Sequence, residues 1–326
     1  MTKRGSIRIG ISGWTYKPWR GTFYPNDLAH KRELFYASRR FDTIEINGTF
    51  YGLQRPSAFQ RWRDETPDDF IFSVKGSRYI THMLRLKNID TALGNFIASG
   101  ILALGDKLGP ILWQCPPTLK FDPDLFDRFL ALLPKTANQA AGFARRHHDS
   151  RVEGRNFLDV DHARPLRHAL EIRHDSFRSE HFVELLREHG VGLVCADTVE
   201  WPLLMDLTTD FVYCRLHGSK ELYVSGYEED ALAVWSDRIK AWSLGNEPAD
   251  AERIASSAPR SAKGRDVFVY FDNDVKVRAP ADAASLAMRL DVAASRPDHD
   301  LSKPSKTVHG PSFEARRHWP PVRLRQ

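Results

Sequence analysis

The chain predicts an α/β fold: a TIM-like (β/α)8 barrel with one irregular βα unit and a disordered C-terminal tail. Three observations predict it. Eight short runs are rich in β-branched and aromatic residues, and amphipathic stretches of helix length separate most of them. Parallel strands need such crossovers, whereas antiparallel neighbours do not. The length, 326 residues, suits one barrel of about 250 residues plus additions. A doubly wound open sheet is the competing architecture, and the count of eight favours closure.

The strand candidates are Ile7–Trp14, Thr43–Tyr51, Phe70–Ser77, Pro110–Cys115, His168–His174, Val191–Asp197, Phe211–His217 and Asp266–Asp272. Ala29–Arg40 and Ala58–Asp64 read as helices after the first two strands, and Ile89–Leu104 after the third. Leu125–Leu133 and Ala137–His148 fall between the fourth and fifth strands. Phe182–His189 follows the fifth, Asp230–Leu244 the seventh, and Ala281–Ala294 closes the set. The irregular unit lies between Asp197 and Phe211, where Pro202 and the short spacing predict a turn or a short 3-10 segment.

Apolar residues at 42% and charged residues at 27% describe a soluble protein able to bury a core. The basic excess, 47 Lys and Arg against 42 acids, concentrates at the end. Residues 296–326 hold seven basic and three acidic residues among five of the chain's prolines, counting Pro297 through Pro321. The domain reading is therefore a single barrel over 1–295 and a basic, Pro-rich disordered tail over 296–326. The nearly neutral barrel disfavours a nucleic-acid partner. Cys115, Cys195 and Cys214 form no CxxC pair, which fits a reducing compartment. No signal-peptide-like or membrane-spanning apolar run is evident, so the expected location is cytoplasmic and no membrane partner is expected.

Strand alternation then sorts the polar residues. If Ile44 and Ile46 face helices, Glu45 and Asn47 point into the barrel. The same parity turns Lys75, Glu171, Arg173, Tyr213, Arg215, His217, Tyr270 and Asp272 inward, and Ser12 and Gln114 join them. Asp197 shares a face with Leu193 and Cys195 but ends its strand, and is counted with the cluster. Charged residues at the C-terminal ends of barrel strands read as a site, because unpaired charges make an expensive core. The catalytic candidates are Glu45, Glu171, His217, Asp197 and Lys75. The substrate-binding candidates are Trp14, Asn47, Tyr51, Gln114, Arg173, Arg215, Lys220, Tyr270 and Asp272.

Their chemistry is readable by type. Glu45 and Glu171 suit general acid and base roles, with Glu171→Gln expected to stop activity while sparing the fold. Arg173, Arg215 and Lys75 suit a phosphate or carboxylate, and Gly218-Ser-Lys220 follows a strand where barrels bind phosphate. Trp14 and Tyr51 are placed to stack on a ring. A divalent metal on Asp197, His217 and a glutamate is compatible with the residue types, although no metal-binding spacing occurs. No GxGxxG, Walker or GxSxG motif occurs, which disfavours a nucleotide cofactor or a hydrolase serine elbow.

Several segments, in order, resemble one family. They are Ile9-Gly-Ile-Ser-Gly-Trp14, Phe23-Tyr-Pro25, Glu45-Ile-Asn-Gly-Thr-Phe-Tyr51, Phe72-Ser-Val-Lys-Gly76, Leu112-Trp-Gln-Cys-Pro-Pro117, Glu171-Ile-Arg-His-Asp-Ser-Phe177, Arg215-Leu-His-Gly218 and Tyr270-Phe-Asp-Asn-Asp274. Together they are similar to the YecE-like proteins, domain of unknown function seventy-two. The resemblance spans residues 7–292 and implies a TIM-like barrel, with no established activity and no catalytic residues to carry over. The residues point to an enzyme using carboxylate and histidine groups on a small polar, anionic substrate bearing phosphate or sugar. Hydrolase, lyase and isomerase chemistry all remain open. The alternatives are a nucleic-acid-processing or nucleic-acid-binding protein, by fold analogy with endonuclease IV, and a non-catalytic ligand sensor.

Overall fold

Eight parallel strands close into a barrel in chain order. They are β1 (Ile7–Ser12), β2 (Thr43–Ile46), β3 (Ile71–Lys75), β4 (Leu108–Gln114), β5 (His168–Glu171), β6 (Gly192–Asp197), β7 (Phe211–Leu216) and β8 (Asp266–Phe271). β8 returns to β1 through pairs such as Ile7↔Val267 and Ile11↔Phe271, leaving no open edge. The computed structural model describes residues 4–160, 162–218, 225–256, 261, 263–273 and 277–292. The 296–326 segment and Lys220 lie outside the described residues.

The helices are α1 (Glu33–Ala37), α2 (Gly48–Tyr51), α3 (Pro56–Glu65), α4 (Asp90–Ala98), α5 (Pro123–Leu132), α6 (Ala137–His147), α7 (Glu180–His189), α8 (Glu229–Ser243) and α9 (Arg278–Arg289). Two of them carry side-chain N-caps. Asp122 caps α5 by accepting from Leu125 N, and Thr136 caps α6 by accepting from Gln139 N. Two expected helices are broken. Ala29–Arg40 begins as a 3-10 turn before α1, and Ile89–Leu104 splits at Gly100, whose φ of 118° no ordinary side chain adopts readily.

All eight expected strands are present, but several stop earlier than expected. Strand β2 ends at Ile46, and the stretch through Tyr51 becomes α2. Thr49 explains the change: its hydroxyl donates to Ile46 O at 3.0 Å and to Lys75 O at 2.6 Å, pinning a helical turn across the ends of β2 and β3. The β6–β7 crossover has neither helix nor 3-10 turn, only bends. The Thr208 hydroxyl stitches it to β6, accepting from Leu193 N and donating to Val191 O.

Alternation divides the core as parity requires. Ile44, Phe72, Val74, Leu170, Val212, Cys214, Val269 and Phe271 pack between sheet and helices. Leu112, Ala169, Val194, Ala196, Phe211, Tyr213, Phe268 and Tyr270 fill the barrel interior. Along β7 the interior changes character, from Phe211 at the N-terminal end through Tyr213 to Arg215. The apolar interior is thus the floor of a charged upper layer. Among the described residues, no helix is long and apolar enough to cross a membrane.

Candidate functional site

Arg215 organises the charged layer. Fully buried on β7, it donates from Nε to Glu45 Oε2 at 3.1 Å and from Nη2 to Glu45 Oε1 at 3.0 Å. Its Nη1 donates to Glu171 Oε2 at 2.7 Å, and Nη2 also reaches Asp272 Oδ2 at 2.7 Å. One guanidinium therefore binds carboxylates from β2, from β5 and from the residue just after β8. A buried charge is tolerated only with such pairing. Burial disfavours the cation, but Asp272, Glu45 and Glu171 hold the Arg215 pKa well above its ordinary value.

The two glutamates are already occupied. Glu45 takes hydroxyl donations from Ser12 at 2.5 Å and Tyr213 at 2.6 Å besides the two from Arg215. A carboxylate has about four lone-pair positions, so none is left for a substrate. Glu171 Oε1 accepts from Gln114 Nε2 at 2.9 Å and from Arg173 Nε and Nη2, each at 2.7 Å. Burial alone raises the Glu171 pKa, but Arg173 and Arg215 overcome it and hold the carboxyl well below the usual range. Asp272 is likewise lowered, Arg215 and His217 outweighing its burial.

His217 lies beside this network, with Nδ1 3.2 Å from Asp272 Oδ2 and Nε2 4.0 Å from Glu171 Oε2. Burial lowers its pKa more than the Asp272 hydrogen bond raises it. Arg173 lies over the Trp201 ring at 4.1 Å, and His217 meets the same ring edge-on at 5.6 Å. Arg173, Trp201 and His217 therefore pack together on this side of the layer.

Lys75, at the end of β3, differs from the other charges. It is 8% exposed and its Nζ stands 4.6 Å from the centre of the Phe50 ring. Among the described residues, its ammonium makes no hydrogen bond or ion pair. Burial lowers its pKa first, and the Arg215 charge adds to this against the pull of Glu45, Asp272 and Glu171. His82 lies nearby, its ring 5.1 Å from Phe50 and its Nδ1 2.8 Å from the Thr81 hydroxyl. Burial, then the charges of Arg173, Lys75 and Arg78, push the His82 pKa down to about 4. A neutral imidazole thus sits among three cations.

The expected site residues consequently divide. Glu45, Glu171, Arg173, Arg215, His217, Gln114 and Asp272 form one connected layer, with Lys75 beside it. Tyr270 lies below, its hydroxyl 2.7 Å from the Thr43 hydroxyl and its ring against Tyr213, as part of the floor. Asp197 does not join the cluster. Its carboxylate accepts from Trp235 Nε1 on α8 at 3.0 Å, in the helix layer, as its parity with Leu193 and Cys195 demands. Asp197 and His217 therefore do not meet through their side chains as the metal set required. Among the described residues, no group of three His, Cys, Asp or Glu side chains is arranged to hold a metal ion.

Trp14, Asn47 and Tyr51 belong to a neighbouring cavity of about 760 Å3, together with Arg32, Arg61 and Glu65. Its lining includes none of Glu45, Glu171, Arg215 and Asp272. Asn47 belongs to both, since its Nδ2 donates to the Ser12 hydroxyl at 3.0 Å. Sequence reasoning missed His82, Arg78, Trp201, Arg32, Arg61 and Glu65. All lie on loops or helices, where strand parity has no force; only the rule that barrel sites gather at the C-terminal ends of strands pointed to their neighbourhood.

A family model described as a protein of unknown function, DUF72, matches residues 8–307. The UPF0759 protein YecE of Escherichia coli strain K12 is 30% identical over 112 residues, 34% of this chain and 38% of YecE. The UPF0759 protein YunF of Bacillus subtilis is 29% identical over 116 residues, covering 34% of this chain and 40% of YunF. The chain thus matches well under two thirds of the length of either relative. A crystal structure of a DUF72 family protein from Thermotoga maritima superposes with a TM-score of 0.64 at 24% identity, covering 88% of this chain and 99% of that one. A DUF72 family protein from Enterococcus faecalis superposes with a TM-score of 0.62 at 15% identity, covering 88% and 96%. At these identities the likeness is one of fold, and it agrees with the closed barrel built from the strands above. With the family model spanning nearly the whole barrel, the chain belongs to the DUF72 family.

Proposed function

We propose that the protein is an enzyme acting on a small anionic substrate at the barrel mouth, with Lys75 as the proton-transfer group. The observation that carries this reading is the contrast between Lys75 and the glutamates. Glu45 has no lone pair to spare, and Glu171 Oε1 already takes three N–H donors. Lys75 has no such partner among the described residues, and burial lowers its proton affinity. A lysine whose proton affinity is lowered gives up and takes back its proton more readily, which suits a base or acid role.

Arg173 and neutral His82 supply the rest. Arg173 presents a guanidinium braced by Glu171 and Trp201, geometry that suits a carboxylate or phosphate. The carboxylate layer orients Arg215 and Arg173 and plays no direct part in proton transfer. Hydrolase, lyase and isomerase reactions share the proton-transfer step beside an anionic group. Three free, buried cysteines support a cytoplasmic setting.

The test is calorimetric titration with small carboxylates and sugar phosphates, followed by proton NMR of any binder for turnover or solvent-deuterium exchange. Binding with exchange that disappears in Lys75→Met is the expected result. Exchange that survives in Lys75→Met removes Lys75 from the chemistry.

A further inference from the structure

We propose that the lateral cavity between the β1–α1 segment, α2 and α3 is a binding site for a phosphorylated ring, a sugar or nucleoside ring carrying hydroxyl or amino donors. The cavity's 760 Å3 falls within the range of small-ligand pockets, about 300–1,000 Å3. Its wall carries five aromatic side chains, Trp14, Tyr16, Phe35, Tyr51 and Trp62. Trp14 and Trp62 meet edge to face at 5.4 Å, which holds both rings in place, while Tyr51 is 73% exposed and available to cover a ligand.

The charge and the unmet hydrogen bonds specify more than a hydrophobic slot. Lys31, Arg32 and Arg61 line the cavity against the single acid Glu65. His30 adds no free charge, being paired with Glu33 at 2.9 Å. Arg32 Nη2 is buried without a hydrogen-bond partner, although its guanidinium lies 3.8 Å over Phe35. Asn47 Oδ1 is also buried and unpartnered. Buried polar atoms are normally satisfied, so these two mark where a ligand's groups belong. A cationic donor calls for an anionic oxygen, and an amide oxygen calls for an O–H or N–H. Inorganic phosphate answers only the first. A ring with its own donors answers both, and the aromatic walls accept its faces.

Glu65 fits the same ligand. Burial raises its pKa against the pull of Arg61, Arg32 and Arg39, and among the described residues its carboxyl makes no hydrogen bond or ion pair. Arg61, Arg32 and Arg39 act on this carboxyl and offset its charge, so the wall stays favourable to an anionic oxygen. Asn47 also joins the cavity to the central layer through Ser12 and Glu45, so ring recognition and the barrel charges share one hydrogen-bond chain.

The proposal does not depend on Lys75 chemistry, and the experiment separates the two. Calorimetry of the full chain is run with glucose 6-phosphate, adenosine monophosphate and inorganic phosphate. The same titrations are repeated on Arg61→Glu, Tyr51→Ala and Lys75→Met, the first two being changes at exposed positions. At least one ring phosphate should bind at least tenfold more tightly than inorganic phosphate, and the better of the two identifies a sugar or a nucleoside. Arg61→Glu and Tyr51→Ala should each weaken that binding by tenfold or more, while Lys75→Met leaves it within twofold. Ring phosphates binding no better than inorganic phosphate would overturn the proposal. So would full affinity in Arg61→Glu, or loss of binding in Lys75→Met, which would move the ligand to the barrel mouth.

Discussion

Arg215 and Glu45 face each other in a two-point contact, Nε to Oε2 at 3.1 Å and Nη2 to Oε1 at 3.0 Å, across 170 residues of chain. Both are fully buried. The contact runs through the barrel interior, joining strands that are not neighbours in the sheet. It ties β2 to β7 above the tyrosine floor, and the same guanidinium gathers Glu171 and Asp272. The charged layer is therefore a scaffold as well as the setting of a site.

Replacing Arg215 with Met should be severe, because three carboxylates would lose their shared counter-charge. Breaking a buried pair from one side typically costs about 3–5 kcal/mol. Urea denaturation of Arg215→Met should show a loss of that order, and Arg215→Lys should recover only part of it, since an ammonium cannot reproduce the fork. A midpoint within 0.2 M of the parent, about 0.4 kcal/mol at ordinary m-values, would show that the layer adds little to stability.

Glu171→Gln obeys the same logic and revises the expectation drawn from sequence. The change leaves Arg215 and Arg173 short of one negative charge in a buried layer. A destabilisation of about 3 kcal/mol is expected, so lost activity would not by itself identify a catalytic glutamate. Thermal melts should accompany every assay of this variant, and an unchanged melting temperature would restore the simpler reading.

Lys75→Met should act in the opposite direction. Removing a buried ammonium that lacks a partner among the described residues, and putting a flexible apolar chain against Phe50, should raise stability by about 1–2 kcal/mol. Anion-dependent activity should disappear at the same time, the usual exchange of stability for function at a site. If the melting temperature falls instead, Lys75 has a structural partner and the functional reading weakens.

Acid should destabilise the fold in two stages. Burial comes first among the causes that push His82 and His168 from 6.5 to about 4. Both stay neutral in the folded chain while the unfolded chain gains protons, so stability falls from about pH 6.5 to 4. Glu171 and Asp272 are also lowered, so their contribution is present above the ordinary carboxylate range and is lost as pH falls below about 4. Denaturation tracked from pH 8 to 2 should show both stages. In His82→Asn the first stage should shrink, and an identical curve would place the proton uptake elsewhere.

The sequence by itself determined the eight strands, their closure and the inward direction of Glu45, Lys75, Glu171 and Arg215. Those are readable because side chains alternate strictly along a strand, and an apolar face names the charged one. Parity grouped Asp197 with Leu193 and Cys195, but its position at a strand end drew it into the expected cluster, whereas its carboxylate meets Trp235 on α8. Tertiary structure alone decided the course of the chain beyond each strand end and which side chains meet there. Asn47 and Tyr51 leave the alternation where Thr49 turns the chain into α2, while His82 comes to the charged layer from the helical turn Tyr79–Met83 and Trp201 from a loop. The saturation of Glu45 needs donors from β1 and β7, and the lateral cavity needs residues near positions 14, 32, 47 and 61 at once. Pairings between distant segments arise from barrel geometry and loop conformation, which no local pattern encodes. That is why the chain reveals which charges lie inside but not which of them remains free to act.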